Sequence, residues 1–160
     1  MLLQPFASGI LEPGPFRLEE RGGRAYIVQD LPDSVRGLHF LRNGLFLGEW
    51  KKNRFEPSQP LAMAQNMLFL KEDACRKTDP ERNTGSGNAA AAGSTVPVFS
   101  AAAEDTRITA YLRGEGIPLT EAEAQSLADG WVLVCADRFS LGWGKKTGRQ
   151  IKNKYPASWR

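Results

Sequence analysis

Residues 130–160 read GWVLVCADRFSLGWGKKTGRQIKNKYPASWR, a stretch that alternates strand-like runs with turns before it becomes basic. The apolar run 131–136 is typical of a buried strand, and 139–144 predicts a second strand after a short turn. Segment 150–155 predicts a third strand, because Gly148 permits a tight turn in front of it. We therefore expect a meander of three strands at this end of the chain.

The charge of this stretch is one-sided. From residue 141 to residue 160 there are six Lys or Arg residues and no Asp or Glu, although the whole chain has a net charge of only +3. A hairpin that runs into an acid-free basic segment suits a phosphate backbone. The alternative is an edge strand made basic to prevent aggregation. The candidate RNA-binding residues here are Lys145, Lys146, Arg149, Lys152, Asn153 and Lys154.

Two further groups extend this candidate surface. Trp143 and Tyr155 lie within or beside the basic segment, where aromatic rings can stack on unpaired bases. Either ring could instead belong to the core of a small barrel. Lys51, Lys52 and Arg54 form a second basic patch after a predicted strand, with a solvated hairpin end as the alternative. The sequence does not fix whether the two patches are continuous.

Several functional classes are excluded by composition. Cys75 and Cys135 are not part of a CxxC pair and His39 is the single histidine, which argues against a zinc site. GWGKKTG lacks the glycine spacing of a P-loop. No stretch approaches the roughly 18–20 apolar residues of a membrane span. The N-terminus has neither the basic region nor the apolar region of a signal peptide, so we expect a cytoplasmic protein.

Residues 80–95, PERNTGSGNAAAAGST, predict a flexible linker because they contain no large apolar side chain. The linker divides the chain into units over 1–79 and 96–160. In the first unit, a Gly-Gly turn predicts a hairpin of strands 16–20 and 24–28, and Asn43-Gly44 predicts another of 38–42 and 45–50. A helix is expected over 59–70, with Ser58 as its N-cap.

The second unit begins with two predicted helices. Segment 101–113 has a helical apolar face and ends before Gly114, which suits the position after a helix C-cap. A shorter helix follows up to residue 128, with Thr120 as N-cap and Glu123 completing a capping box. Together with the three strands, this pattern indicates a small mixed α/β module.

Three stretches in this order resemble a known family. They are LHFLRNGLFLGEWKKNRFEPSQPLAMA (38–64), ITAYLRGEGI (108–117) and GWVLVCADRFSLGWGKKTGRQIKNKYP (130–156). The first resembles the first C-terminal domain of the RsmF-type (Sun-family) rRNA 5-methylcytosine methyltransferases. The other two resemble the PUA-like RNA-binding domain of the same family. The chain departs from the family at its end, where KYPASWR replaces the more usual YPKGLR pattern.

The resemblance implies an α+β fold in two small units, the second a PUA-like mixed β pseudo-barrel with one or two helices. It also implies a monomeric RNA-binding module that positions structured rRNA of the small ribosomal subunit for an S-adenosylmethionine-dependent methyltransferase.

The chemistry of that family has no counterpart in this chain. Its cysteine motifs resemble TCS and PCSG, whereas here Cys75 sits in DACRK and Cys135 in VLVCADR. No strand–GxGxG–helix unit is present either. We expect no enzyme activity and no cofactor for the chain itself. The alternative function is a protein-interaction module that docks on the methyltransferase catalytic domain or another acidic partner, with Phe55 more important than the lysines.

Overall fold

The computed structural model describes residues 16–29, 37–38, 44–52, 54–68 and 96–160. The first sheet is antiparallel, with its strands in the order of the sequence. Its elements are β1 (Phe16–Arg21), β2 (Arg24–Gln29), β3 (Leu45–Lys51) and β4 (Arg54–Pro57), followed by helix α1 (Gln59–Leu68). The predicted hairpin of 16–20 and 24–28 is confirmed, and its turn glycines have φ values of 57° and 74°.

Parts of the predicted first unit lie outside the described residues. They are most of the predicted strand 38–42, the end of the predicted helix at 69–70, the linker 80–95 and Cys75. Within the described part, β3 pairs with β2 on one side and with β4 on the other. Strand β4 was not predicted, because it is only four residues long and includes a proline.

The second sheet is mixed and has the strand order β5-β7-β8-β9-β6. Its strands are β5 (Val98–Ala101), β6 (Ile117–Pro118), β7 (Gly130–Ala136), β8 (Phe139–Thr147) and β9 (Gln150–Asn153). Strands β5 and β7 are parallel, and the other pairs are antiparallel. Helices α2 (Thr106–Leu112) and α3 (Glu121–Ser126) and a short 3-10 turn (Ala157–Trp159) complete it. The predicted α+β class is confirmed.

The prediction of a helix over 101–113 was wrong at its beginning. Ala101 belongs to β5, which pairs with β7, and the helix begins only at Thr106. Asp105 caps it by accepting a hydrogen bond from the Arg107 N–H at 2.8 Å. The alanines of 101–103 favour a helix locally, but the parallel pairing with β7 outweighs that propensity. The predicted end is confirmed, with Arg113 as C-cap and Gly114 following at φ 99°.

One hydrophobic cluster is shared by both sheets. The first sheet contributes Ala25, Ile27, Leu47 and Phe55, α1 contributes Leu61 and Ala62, and the second sheet contributes Leu133, Cys135 and Trp143. Helix α1 therefore lies between the first sheet and strand β8. A second cluster, on the other face of the second sheet, packs α2 through Ile108 and Tyr111.

Three hydrogen bonds fix α1 to β8 at this shared cluster. The Trp143 indole Nε1 donates to the Ser58 carbonyl at 2.8 Å, and Ser140 Oγ donates to the Ala62 carbonyl at 2.6 Å. Gln59 Nε2 donates to the Leu141 carbonyl, also at 2.6 Å. Because buried polar groups of this kind are costly to leave unpaired, they set the register of the helix on the strand. The described parts of both units are thus joined by a common core.

Ser58 provides a first test of this arrangement. Its Oγ accepts a hydrogen bond from the Leu61 N–H at 3.2 Å and donates to the Phe46 carbonyl. We expect Ser58→Ala to lower the free energy of unfolding by about 1–2 kcal/mol in urea titrations. The change removes the N-cap, so the Leu61 N–H and the Phe46 carbonyl both lose their hydrogen-bond partner. Ser126→Ala, which removes an exposed hydroxyl, is the control and should change it by less than about 0.5 kcal/mol. Equal effects would contradict the predicted role of Ser58.

Candidate nucleic-acid interface

The hairpin of β8 and β9 presents part of the predicted basic segment on one face. Lys145 lies opposite Trp131 on one side and opposite Lys152 on the other. Directly opposite residues of antiparallel strands share a face, so these three side chains form a row across the sheet. Lys152 is exposed and Lys145 is half-buried. The row therefore carries two positive charges beside an aromatic ring.

Lys146 lies on the face of the sheet opposite to Lys145, because consecutive residues of a strand alternate between the two faces. It lies across from Ile151 and is only 6% exposed. Its Nζ donates to Asp129 Oδ1 at 2.7 Å, and this hydrogen bond lowers the pKa of the Asp129 carboxyl. The buried Lys146 side chain is thus paired with a carboxylate at the protein surface. Lys146 therefore does not add to the exposed positive surface, although it was predicted as an RNA-binding residue together with Lys145.

Arg149 and Lys154 add two exposed cations to the exposed Lys152 and the half-buried Lys145. Arg149 lies in the turn between β8 and β9, and Lys154 directly follows β9, with its N–H donating to the Trp143 carbonyl at 3.1 Å. Both are exposed. We call Lys145, Arg149, Lys152 and Lys154 the basic face. None of the four forms an ion pair with another residue that the structure describes.

Asn153 ends strand β9, two residues earlier than predicted. Its Nδ2 donates to the carbonyls of Tyr111 at 2.6 Å and Glu115 at 2.8 Å, and its Oδ1 accepts the Tyr155 N–H at 2.8 Å. These bonds hold the chain where β9 ends, so Lys154 lies outside the strand that was predicted over 150–155. Since its amide is fully used internally, Asn153 positions the basic segment and has no hydrogen left for a base.

Trp143 is a core residue. It is 2% exposed, packs edge to face on Trp131 with ring centroids 6.4 Å apart, and hydrogen-bonds to Ser58. A base cannot reach this ring while the fold is intact. The structure thus favours the core alternative and removes Trp143 from the candidate surface. It is α1 that covers this ring, whereas Lys145, two residues further along the same face, stays partly open.

Tyr155 is half-buried and belongs to a row of rings with Tyr111 and Trp159. The ring centroid of Tyr155 lies 5.6 Å from that of Tyr111 and 6.2 Å from that of Trp159. Trp159 is 54% exposed and was not predicted as a site residue. The signal that could have found it is an aromatic residue within the acid-free segment, beyond the last strand.

The second basic patch is weaker than its composition indicates. Lys51 Nζ lies 2.6 Å from a Glu49 carboxylate oxygen and 2.9 Å from one of Glu56. Hydrogen bonds to these two carboxylates raise the Lys51 pKa, so its charge is locally balanced. Lys52 and Arg54 remain exposed at the turn between β3 and β4.

The two basic patches border the same core from different sheets. Trp50, which precedes the second patch, and Trp131, which lies opposite Lys145, both pack against the shared cluster. Both patches therefore lie next to residues that pack on the shared cluster. Lys52 and Arg54 stay candidates, and the basic face is the stronger of the two patches.

Phe55 cannot serve as a docking residue, because it is buried in the shared cluster and packs edge to face on Trp50. Among the described residues, an exposed apolar candidate is instead Phe139, the first residue of β8, which is 55% exposed. The Arg138 guanidinium lies over its ring at 5.3 Å.

Among the described residues, no group of three or more His, Cys, Asp and Glu side chains could hold a metal ion. Helices in the same part of the chain are too short or too polar to cross a membrane.

Two family models match the chain. The model described as the methyltransferase RsmF PUA domain matches residues 99–160, and the one described as the RsmF rRNA methyltransferase first C-terminal domain matches residues 6–64. The basic face falls within the first match and the second basic patch within the other. Both models describe C-terminal domains. A search of curated proteins finds no significant match.

Proposed function

The chain corresponds to the C-terminal region of the RsmF-type rRNA methyltransferases, and on that premise we propose that it is an RNA-binding module that positions structured rRNA for cytosine methylation. The observation that carries the proposal is the basic face: four cations on one hairpin and its flanks, without ion pairs to other described residues. Cations that are not already paired are free to replace the counterions of phosphates.

The basic face is suited to positioning because its backbone is held in place. The sheet fixes Lys145 opposite Lys152, and Asn153 holds the chain direction at Lys154. Contacts with phosphates fix the register and orientation of a nucleic acid, whereas folded RNA is recognised mainly by its shape and its exposed bases. The module would therefore present a particular RNA surface to a catalytic domain.

In this proposal the chain supplies binding and no chemistry. S-adenosylmethionine would be held by the methyltransferase catalytic domain, and the chain alone would bind none. We expect the RNA to come from the small ribosomal subunit. We also expect the protein to act as a monomer in the cytoplasm. Calorimetric titration of the chain with S-adenosylmethionine should give no binding heat.

The proposal predicts a specific salt dependence of RNA binding. If the four cations of the basic face neutralise four phosphates, log K should fall with log salt at a slope of about −3 to −4. The slope is smaller than five or six cations would give, because Lys146 is buried and paired. Fluorescence anisotropy with a labelled rRNA fragment between 50 and 300 mM salt, roughly the range in which such contacts weaken, measures it. A slope near zero, or no binding, would contradict the proposal.

The second candidate function is protein docking, and the exposed Phe139 beneath Arg138 favours it. An exposed aromatic ring is a common centre of binding energy in protein interfaces. If docking is the function, Phe139→Ala should abolish binding of a separately expressed catalytic domain and leave RNA affinity unchanged. Lys152→Glu should have the opposite pattern if the RNA-binding proposal is right.

A further inference from the structure

Trp159 combines a large exposed ring with a fixed position. Its side chain is 54% exposed, although it is the last member of the row formed with Tyr111 and Tyr155. Tyr111 at the other end is fully buried, and its hydroxyl donates to the Trp143 carbonyl at 2.9 Å. The row therefore runs from the core of the second sheet to its surface, and ends in an open indole.

The backbone under this ring is held at several points. The Tyr155 N–H is bound by Asn153, the Tyr155 carbonyl accepts Arg160 Nη2 at 2.9 Å, and the Trp159 N–H donates to the Pro156 carbonyl at 3.0 Å. Arg160 also lies against Gly114, where a Cβ would come within 2.6 Å of the guanidinium. An aromatic side chain held in this way loses little conformational freedom when something stacks on it.

The surroundings of the ring favour a nucleic acid over an apolar protein surface. Trp159 lies in the acid-free end of the chain, and the basic face, through Lys152 and Lys154, leads directly into its segment. Indole rings stack on nucleobases of any sequence, and each such contact contributes about 1–3 kcal/mol. A ring that can stack on a base, close along the chain to cations that can bind phosphates, suits a nucleotide, which carries both groups.

We propose that Trp159 is a stacking platform for an unpaired base of the bound RNA, next to the phosphate contacts of the basic face. The inference rests on the proposed function and adds to it a substrate class: RNA with an unpaired nucleotide, such as a loop, bulge or end. In a continuous duplex without overhangs every base is paired, so the platform finds no unpaired base there.

The test compares two RNAs of equal length, a stem-loop and a continuous duplex, with wild type, Trp159→Ala and Trp159→Phe. We expect Trp159→Ala to weaken stem-loop binding about 5- to 100-fold and duplex binding by less than about twofold. Trp159→Phe keeps the ring contact with Tyr155 and should recover most of the affinity. Phe139→Ala, an almost equally exposed aromatic, is the matched control and should change neither affinity.

Each outcome decides one question. If wild type binds neither RNA, the proposed function fails. If wild type binds both and Trp159→Ala leaves the preference for the stem-loop unchanged, the platform is wrong and the proposed function stands. Equal losses for both RNAs would also overturn the platform, because they would mean that the indole acts through the fold. Quenching of tryptophan fluorescence by the stem-loop should disappear in Trp159→Phe.

Discussion

Changing Lys152 and Lys154 together to glutamate is expected to weaken binding of a structured rRNA fragment by about 30- to 100-fold near physiological salt. Both side chains are exposed and unpaired among the described residues, so the variant removes two phosphate contacts and adds repulsion. The loss corresponds to about 2–3 kcal/mol of binding free energy. This is at the lower end of what two charge-assisted hydrogen bonds contribute, because solvent screens exposed charges. The salt slope should become less steep by roughly 2.

A double charge reversal elsewhere is the control for net charge. Arg17→Glu with Arg138→Glu changes the net charge equally, but Arg17 is on edge strand β1 and Arg138 is in the turn between β7 and β8. We expect this variant to bind within about threefold of wild type, because neither residue belongs to the basic face and salt screens exposed charges. Similar losses for both double variants would mean that overall charge, and not the basic face, drives binding.

Trp143→Ala is expected to lower the free energy of unfolding by about 3–5 kcal/mol, a large part of the stability of a domain this size. The ring is 2% exposed and lies in the cluster that both sheets share. The change would leave a cavity beside Leu133. It would also leave the Ser58 carbonyl without the indole N–H that donates to it. Because the ring joins α1 to β8, both sheets should be destabilised together.

Urea titrations followed by far-UV circular dichroism and by amide hydrogen exchange in each sheet measure this effect. In wild type, the slowest-exchanging amides of both sheets should report one common free energy of opening. Phe139→Ala removes an exposed ring from the same strand and should cost less than about 1 kcal/mol. A loss below about 1 kcal/mol for Trp143→Ala, or separate unfolding of the two sheets, would contradict a shared core.

The elements that the sequence predicts well are those defined by local chemistry. The Gly22–Gly23 turn needs positive φ at both positions, and the capping box at Thr120 joins groups three residues apart. Strand β5 and the short strand β6 were missed, because they exist through pairing with β7 and β9. The parallel pairing of β5 is a long-range interaction that no local pattern encodes.

The candidate site was predictable as a segment but not side chain by side chain. Strand periodicity places Lys145 and Lys146 on opposite faces, but it does not say which face is covered. That depends on Asp129, which pairs with Lys146, and on α1, which covers Trp143 and leaves Lys145 partly open. Trp159 was missed because its exposure depends on how the turn after β9 packs.

The central claim is that RNA binds on the β8–β9 side of the second sheet, and an NMR titration of the labelled chain with a small rRNA stem-loop tests it most directly. We predict that the largest amide shift changes fall at Lys145, Arg149, Lys152, Lys154 and the Trp159 indole. The turn around Phe139 and strands β1 and β2 should stay nearly unchanged. Saturating binding with the largest changes at Phe139 or on the first sheet, and none on the basic face, would contradict the account.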